Sequence, residues 1–204
     1  MSYFDDASLV MIPSGTKTSK VYSVKPIDGT GDLTFTRSND TASRVASNGL
    51  IERVRTNLLP YSNDFSNAAW TKTNGGVGIA PVVTPNYTTD PFGGNNGWRL
   101  QCDLNGGTTS SDRSWLQQIF AGTTVPTTAS VYAKLNSAGT ATFAVTNGST
   151  DNVTITSTDW VRVSSVRTAA PSSYIFRIGL IGGNSQSDSI DISIAFAQIG
   201  RAHV

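Results

Sequence analysis

Side chains able to do covalent or metal chemistry are scarce in this 204-residue sequence, which holds one His (His203), one Cys (Cys102) and one Glu (Glu52). A Ser/His/Asp or Cys/His arrangement would depend on His203, the penultimate residue, and chain ends are poorly held. Glycoside hydrolysis needs two carboxylates, and with Glu52 in the first third of the chain the pair would have to be two Asp on loops. A Cys/His metal cage lacks its ligands, and one Cys makes no intramolecular disulfide. The expectation is a protein that is not an enzyme and needs no cofactor for its activity. What remains is non-covalent chemistry, carried by aromatic rings, guanidinium groups and amides. A Trp or Tyr face stacks on apolar rings such as the flat side of a sugar, and polar neighbours bond the hydroxyls. Trp98 follows a Gly-Asn loop and Trp115 begins a strand, so each reads either as a ring at a cleft mouth or as core. Trp70 reads as a lid over the core edge.

The elements that must position these groups follow from composition. Charged residues make up only 14% of the chain, so its polarity comes from 25 Ser, 26 Thr, Asn and 19 Gly. Ser, Asn and Gly favour turns, Thr favours strands, and the straight-chain helix formers are few, which predicts an all-β protein. The net charge of +1 leaves no basic surplus for a run of phosphates, so nucleic acid is not an expected partner. Asp5 and Asp6 precede the short apolar stretch 9–12, which does not read as a secretory signal, and no run approaches a membrane span.

From residue 57 onward, short strands bounded by Gly, Pro, Asn or Ser recur at the spacing of a sandwich or barrel. They are expected at 98–103, 114–120, 128–135, 140–146, 152–156, 160–167, 174–181 and 189–199, with one or two more near Trp70 and 77–83. Period-2 alternation puts Ala129, Val131, Ala133 and Leu135 on one face, and Tyr132 and Lys134 on the other. Likewise Tyr174, Phe176, Ile178 and Leu180 lie opposite Arg177, and Ile190, Ile192, Ile194 and Phe196 lie opposite Asp191. Eight or more antiparallel strands in this length predict a jelly-roll β-sandwich. Residues 1–56 differ, with no Trp and isolated extended pieces, and Asn48-Gly49 predicts a β-hairpin within an N-terminal arm. In a two-residue turn Arg44 would face Arg53, so a longer loop, or a face that meets a partner, is the alternative there.

Particular stretches resemble known families. ASLVMIPSGTKTSKVYSVKP and GDLTFTRSNDTASRVASNGLIERVRTNLL are similar to the N-terminal part of tailed-bacteriophage virion structural proteins, of the tail-fibre or capsid-associated type. NLLPYSNDFSNAAW, WLQQIFAGTT, TASVYAKL, STDWVRVSSV and IDISIAFAQIG resemble jelly-roll carbohydrate-binding modules. The resemblance implies a docking arm over 1–56 that meets other virion proteins and an outward jelly roll over 57–204. It further implies a homotrimer in a virion, synthesised in the host cytoplasm and facing a host surface polysaccharide.

It also places Gln117 beside Tyr132 on a concave sheet, so Gln117, Tyr132, Lys134 and Arg177 become one candidate glycan platform, with Trp98 and Trp115 as further candidates. Against this stands the plain alternative of a cross-strand packing residue at Tyr132 and a solvated charge at Arg177. The resemblance buries Trp160 against the core. It suggests Asp64 and Asp191 as ligands of a structural Ca²⁺, although no DxDxDG-like spacing is present, and a turn cap and a solvated strand residue are the simpler readings. Three functions stay open: a virion protein that binds glycans, an architectural virion adaptor that binds none, and a carbohydrate-binding module of a secreted polysaccharide-degrading enzyme.

Overall fold

The computed structural model describes residues 3–17, 20–34, 43–45, 51–53, 57–120, 127–146, 151–167 and 175–201. The chain divides into two compact units, Met1–Val54 and Arg55–Val204. The Asn48-Gly49 turn, Tyr174 and His203 lie outside the described residues.

In the first unit a single helical turn, Tyr3–Asp6, precedes strands β1 (Val10–Lys17), β2 (Lys20–Lys25) and β3 (Leu33–Thr34), which form one antiparallel sheet in that order. Asp32 Oδ1 accepts from Ser23 N and Oγ, tying the 26–32 loop to β2. Strands β4 (Ser43–Val45) and β5 (Ile51–Arg53) form the expected hairpin. In the backbone register Arg44 pairs with Glu52 and not with Arg53, so the connection is longer than two residues.

The second unit is an antiparallel β-sandwich of jelly-roll type. Its strands are β6 (Trp70–Gly75), β7 (Ile79–Thr88), β8 (Gly97–Asp103), β9 (Arg113–Ile119), β10 (Thr127–Leu135), β11 (Ala141–Thr146), β12 (Asn152–Ile155), β13 (Val161–Arg167), β14 (Ile175–Ile181) and β15 (Ser189–Arg201). One sheet has the order β13-β10-β15-β8-β7, and the other β12-β11-β14-β9-β6. Pro81 and Pro85 fall in β7, an edge strand where a missing N–H is tolerated. The alternation predicted for β10 and β14 holds: Ala129, Val131 and Ala133 point inward from one sheet, and Phe176, Ile178 and Leu180 from the other, all with no accessible surface. Cys102 joins this core, and burial pushes its thiol up to about 12, which leaves it inert as a nucleophile.

Strand β15 departs from the alternation. Ile190, Ile192 and Ile194 are buried as expected, but Phe196 turns to the outer face. A β-bulge shifts the register between Ser130↔Gln198 and Tyr132↔Ala195, and Phe196 takes a left-handed φ of 52°. The extra residue reverses parity, so Ala197 and Ile199 regain the core positions. The bulge amide is satisfied by Asn63 Oδ1 at 2.9 Å.

The turn-rich segment 57–69 is stitched to the same half of β15. Leu58 N donates to Ile199 O, Ala197 N to Ser62 O, and Ile199 N to Asn57 Oδ1. Phe65, 1% exposed, anchors this segment between Trp70 and Trp98 at ring-centroid distances of 4.9 and 5.8 Å.

Candidate functional site

The outer face of the β13-β10-β15-β8-β7 sheet carries an aromatic patch built from three places in the chain. Tyr132 projects outward from β10, Phe196 comes from the bulge in β15, and Phe92 comes from the loop between β7 and β8. Phe92 meets Tyr132 edge-on at 5.6 Å and Phe196 at 5.2 Å, yet remains 72% exposed. Asp90 holds the loop that presents it. Its buried carboxylate accepts from Phe92 N at 2.8 Å, Gly94 N at 3.1 Å and Asn96 Nδ2 at 3.1 Å. Burial works to raise the pKa of Asp90, but hydrogen bonds led by that from Phe92 N outweigh it and hold the carboxyl below its ordinary range. Gly93, at a φ of 89°, makes the turn that a side chain would strain.

Polar groups rim the patch. The Arg162 guanidinium lies 5.6 Å from the Tyr132 ring and is steered by hydrogen bonds to Ser130 Oγ and Gln198 Oε1. Lys134 Nζ lies 5.2 Å from the Trp160 ring, whose Nε1 donates to Thr89 O. Trp160 is therefore half-buried on the outer face, which corrects the expectation of core burial; there its ring packs under the Lys134 ammonium while its indole N–H reaches a loop carbonyl. Farther along the same sheet Asp191 accepts from Arg99 Nε at 2.9 Å and from Asn136 Nδ2 at 2.6 Å.

The opposite face, on β12-β11-β14-β9-β6, carries Arg113, Trp115 and Gln117 in alternate positions of β9, with Arg177 of β14 paired across from Gln117. Arg177 Nε donates to Gln117 Oε1 at 3.2 Å. Trp115 is only 7% exposed although it points away from the core, because the guanidiniums of Arg177 and Arg113 lie 4.5 and 5.5 Å from its ring. Gly179, opposite Trp115 at a φ of 149°, allows this approach: a Cβ there would sit 2.5 Å from Trp115 Cα.

These positions correct the expectation of one platform. Gln117 and Arg177 share a face with Trp115, whereas Tyr132 and Lys134 belong to the other sheet. Alternation assigns inward and outward, but not the sheet to which an outward residue belongs. Trp98 leaves the candidate set as well, being 6% exposed inside the core, with its Nε1 bonded to Asn63 O. Asp64 caps a turn by accepting from Ser66 N and Oγ, and Asp191 is engaged by Arg99 and Asn136. Among the described residues no three His, Cys, Asp or Glu side chains gather as a metal site. Sequence reasoning missed Phe92 and Arg162. A signal for Phe92 was available, since an aromatic inside Asp-Pro-Phe-Gly-Gly sits on a turn and cannot be a regular strand position.

No family model matches the chain, and no curated protein matches it significantly. Solved structures with similar folds include TmCBM61 in complex with β-1,4-galactotriose, 12% identical over 72% of this chain and 99% of that one, with a TM-score of 0.44. The CBM22-1-CBM22-2 tandem domain of Paenibacillus barcinonensis Xyn10C is 16% identical over 74% of this chain and 47% of that one, at 0.45. The enzymatically active domain of bacteriophage CBA120 tailspike protein 4 is 15% identical over 72% of this chain, at 0.40. The matching part of this chain spans only 21% of that tailspike domain.

Proposed function

We propose that the Arg55–Val204 sandwich is a carbohydrate-binding module whose platform is the Phe92–Tyr132–Phe196 patch. The observation that carries this reading is the Phe92 ring, 72% exposed yet fixed by a buried Asp90 and backed by two further rings. An apolar ring held open in water is suited to the apolar face of a pyranose, and Arg162 and Gln198 supply donors and an acceptor for hydroxyls beside it. The bulge strengthens the reading. A left-handed φ at a bulky residue costs on the order of 1–3 kcal/mol and persists where the surroundings fix it, as Asn63 Oδ1 does at the Phe196 amide, so the outward ring is held in place. The first unit, with Ile27 94% and Leu33 56% exposed, fits an attachment element, as expected of a tail-fibre or capsid-surface virion protein.

The test is a glycan array probed with the whole chain and with Phe92→Ala. The reading expects binding to a surface polysaccharide that the variant loses without change in melting temperature. A wild-type chain with no hit on the array would overturn it in favour of an architectural role.

A further inference from the structure

The Arg113–Trp115–Arg177 face has a feature that the aromatic platform lacks, because among the described residues neither of its arginines forms an ion pair. Burial, and after it the charge of Arg113, hold Arg177 below the ordinary guanidinium value, so the two cations repel each other. The second unit contains eight Asp and no Glu, and its segments 121–126, 147–150 and 168–174 contain neither. Each of those Asp is therefore a described residue, and among the described residues the ion pair formed is Arg99–Asp191, on the other sheet.

Two donors on this face are also unanswered: Arg113 Nε and Trp115 Nε1 are buried with no hydrogen-bond partner. A buried donor left unpaired loses its water without gaining a partner, so each favours an incoming acceptor. Cation–π packing on Trp115 explains one arginine, but a second on the same ring adds repulsion that packing does not require. Beside Arg113, its strand partner Ile181 lines an open depression of about 400 Å³ together with Gly106, Gly107, Gly182, Gly183 and Asp188, whose carboxylate accepts from Gly106 N at 2.9 Å. The backbone there leaves room for a chain to approach.

We propose that Arg113, Trp115 and Arg177 form a second binding site, separate from the aromatic platform, for an oxyanion borne on a sugar chain as a carboxylate or sulfate. A guanidinium fork matches either group with two parallel N–H donors. Binding would neutralise the repelling pair, and neutral sugars would gain nothing from it.

The whole chain is titrated at a fixed ionic strength of about 0.15 M, where surface charges are screened, with dextran sulfate, polygalacturonate, neutral dextran and inorganic sulfate. At least one anionic probe should bind more tightly than neutral dextran. Arg177→Met should weaken that binding about tenfold to hundredfold, the range for losing a charged hydrogen bond. Its melting temperature should not fall, because removing one cation relieves the repulsion. Arg177→Lys, which keeps the charge and loses the fork, should weaken binding too and serves if the Met variant fails to fold. Phe92→Ala should retain anion binding, which keeps this outcome independent of the platform. Protection by inorganic sulfate but not by the polymers would identify a free anion as the ligand and overturn the sugar-borne assignment. Anionic probes that bind no better than dextran, or that bind Arg177→Met as well as wild type, would overturn the site.

Discussion

The two outer faces of the sandwich use the same ingredients, aromatic rings and arginines, and reach opposite results. On one, Arg99 is paired with Asp191, Arg162 is steered by Ser130 and Gln198, and the Phe92 ring stays open to water. On the other, two arginines that form no ion pair among the described residues close over Trp115 and leave almost none of it exposed. The difference lies in where the rings come from. Trp115 rises from the middle of a regular strand, with cations at neighbouring positions of the register, whereas Phe92 and Phe196 come from a loop and a bulge that lift them clear of such neighbours. A strand position inherits its cover from the register, and an irregular position can escape it.

The largest effect is expected where the arginine face depends on close backbone approach. Gly179→Val would put a Cβ 2.4 Å from Ser114 O at a φ that β-branched residues rarely adopt. Strain and overpacking together should cost about 3 kcal/mol or more, read as a loss of midpoint in urea. A variant that unfolds like wild type would show that the approach of β14 to Trp115 is not what builds this face.

On the aromatic face the corresponding substitutions should be milder and graded by burial. Phe92→Ala should change stability by less than about 1 kcal/mol, because its ring is mostly in water already. Tyr132→Ala removes a half-buried ring that meets Phe92 and Arg162, and should cost about 1–3 kcal/mol, short of the 3–5 of a core aromatic. Melting curves of the two variants side by side check the order. A larger loss at Phe92 would make the patch part of the fold and not a platform.

This grading also shows what the sequence revealed. The strands of the sandwich and the inward faces of β10 and β14 were legible, because a period of two is written into Ala129, Val131 and Ala133 and into Phe176, Ile178 and Leu180. The exit of Phe196 was not, because a bulge breaks the period without changing residue types. Nor was the separation of Gln117 from Tyr132, which depends on the sheet each strand joins, a long-range fact absent from local patterning. Trp160 was misplaced and Trp98 left open between cleft and core for a related reason: Trp suits both a core and a half-wet surface, and each indole N–H finds a backbone carbonyl in either setting.

Acid should separate the faces next. Hydrogen bonds to its ionised form hold Asp90 below its ordinary 3.8, so its folded-state pKa lies under the unfolded one. The stabilisation it supplies is therefore complete above about pH 5 and is lost as pH falls through the folded value. Glycan binding at the platform should weaken over that window as the 90–96 loop loosens. In Asp90→Asn, which cannot titrate, the weakening should be absent. Binding measured from pH 6 to pH 3 in both proteins checks this, and equal slopes would remove Asp90 from the account. The arginine face stays charged throughout the window, so a sulfated probe should lose affinity there only as far as global stability falls.

The smallest effect concerns the Arg99–Asp191 ion pair on the aromatic face. Arg99 and Asp191 are 30% and 37% exposed, so water screens them and their coupling should be only about 0.2–1 kcal/mol in a double-mutant cycle. Hydrogen bonds from Arg99, assisted by one from Asn136, hold the Asp191 carboxyl below its usual range. Its share of stability is thus fully present above about pH 5 and is lost as pH falls through the lowered folded value. Raising salt to 1 M, which shortens the screening length to about 3 Å, should shrink the coupling further. The informative contrast is with Arg177. Neutralising Arg99 leaves Asp191 half-buried and unpaired and should destabilise slightly, whereas neutralising Arg177 removes a repulsion and should not. Two arginine-to-methionine changes of opposite sign, measured by the same denaturant titration, would locate the excess positive charge on one face. Equal losses would mean that Arg177 is held by attraction after all.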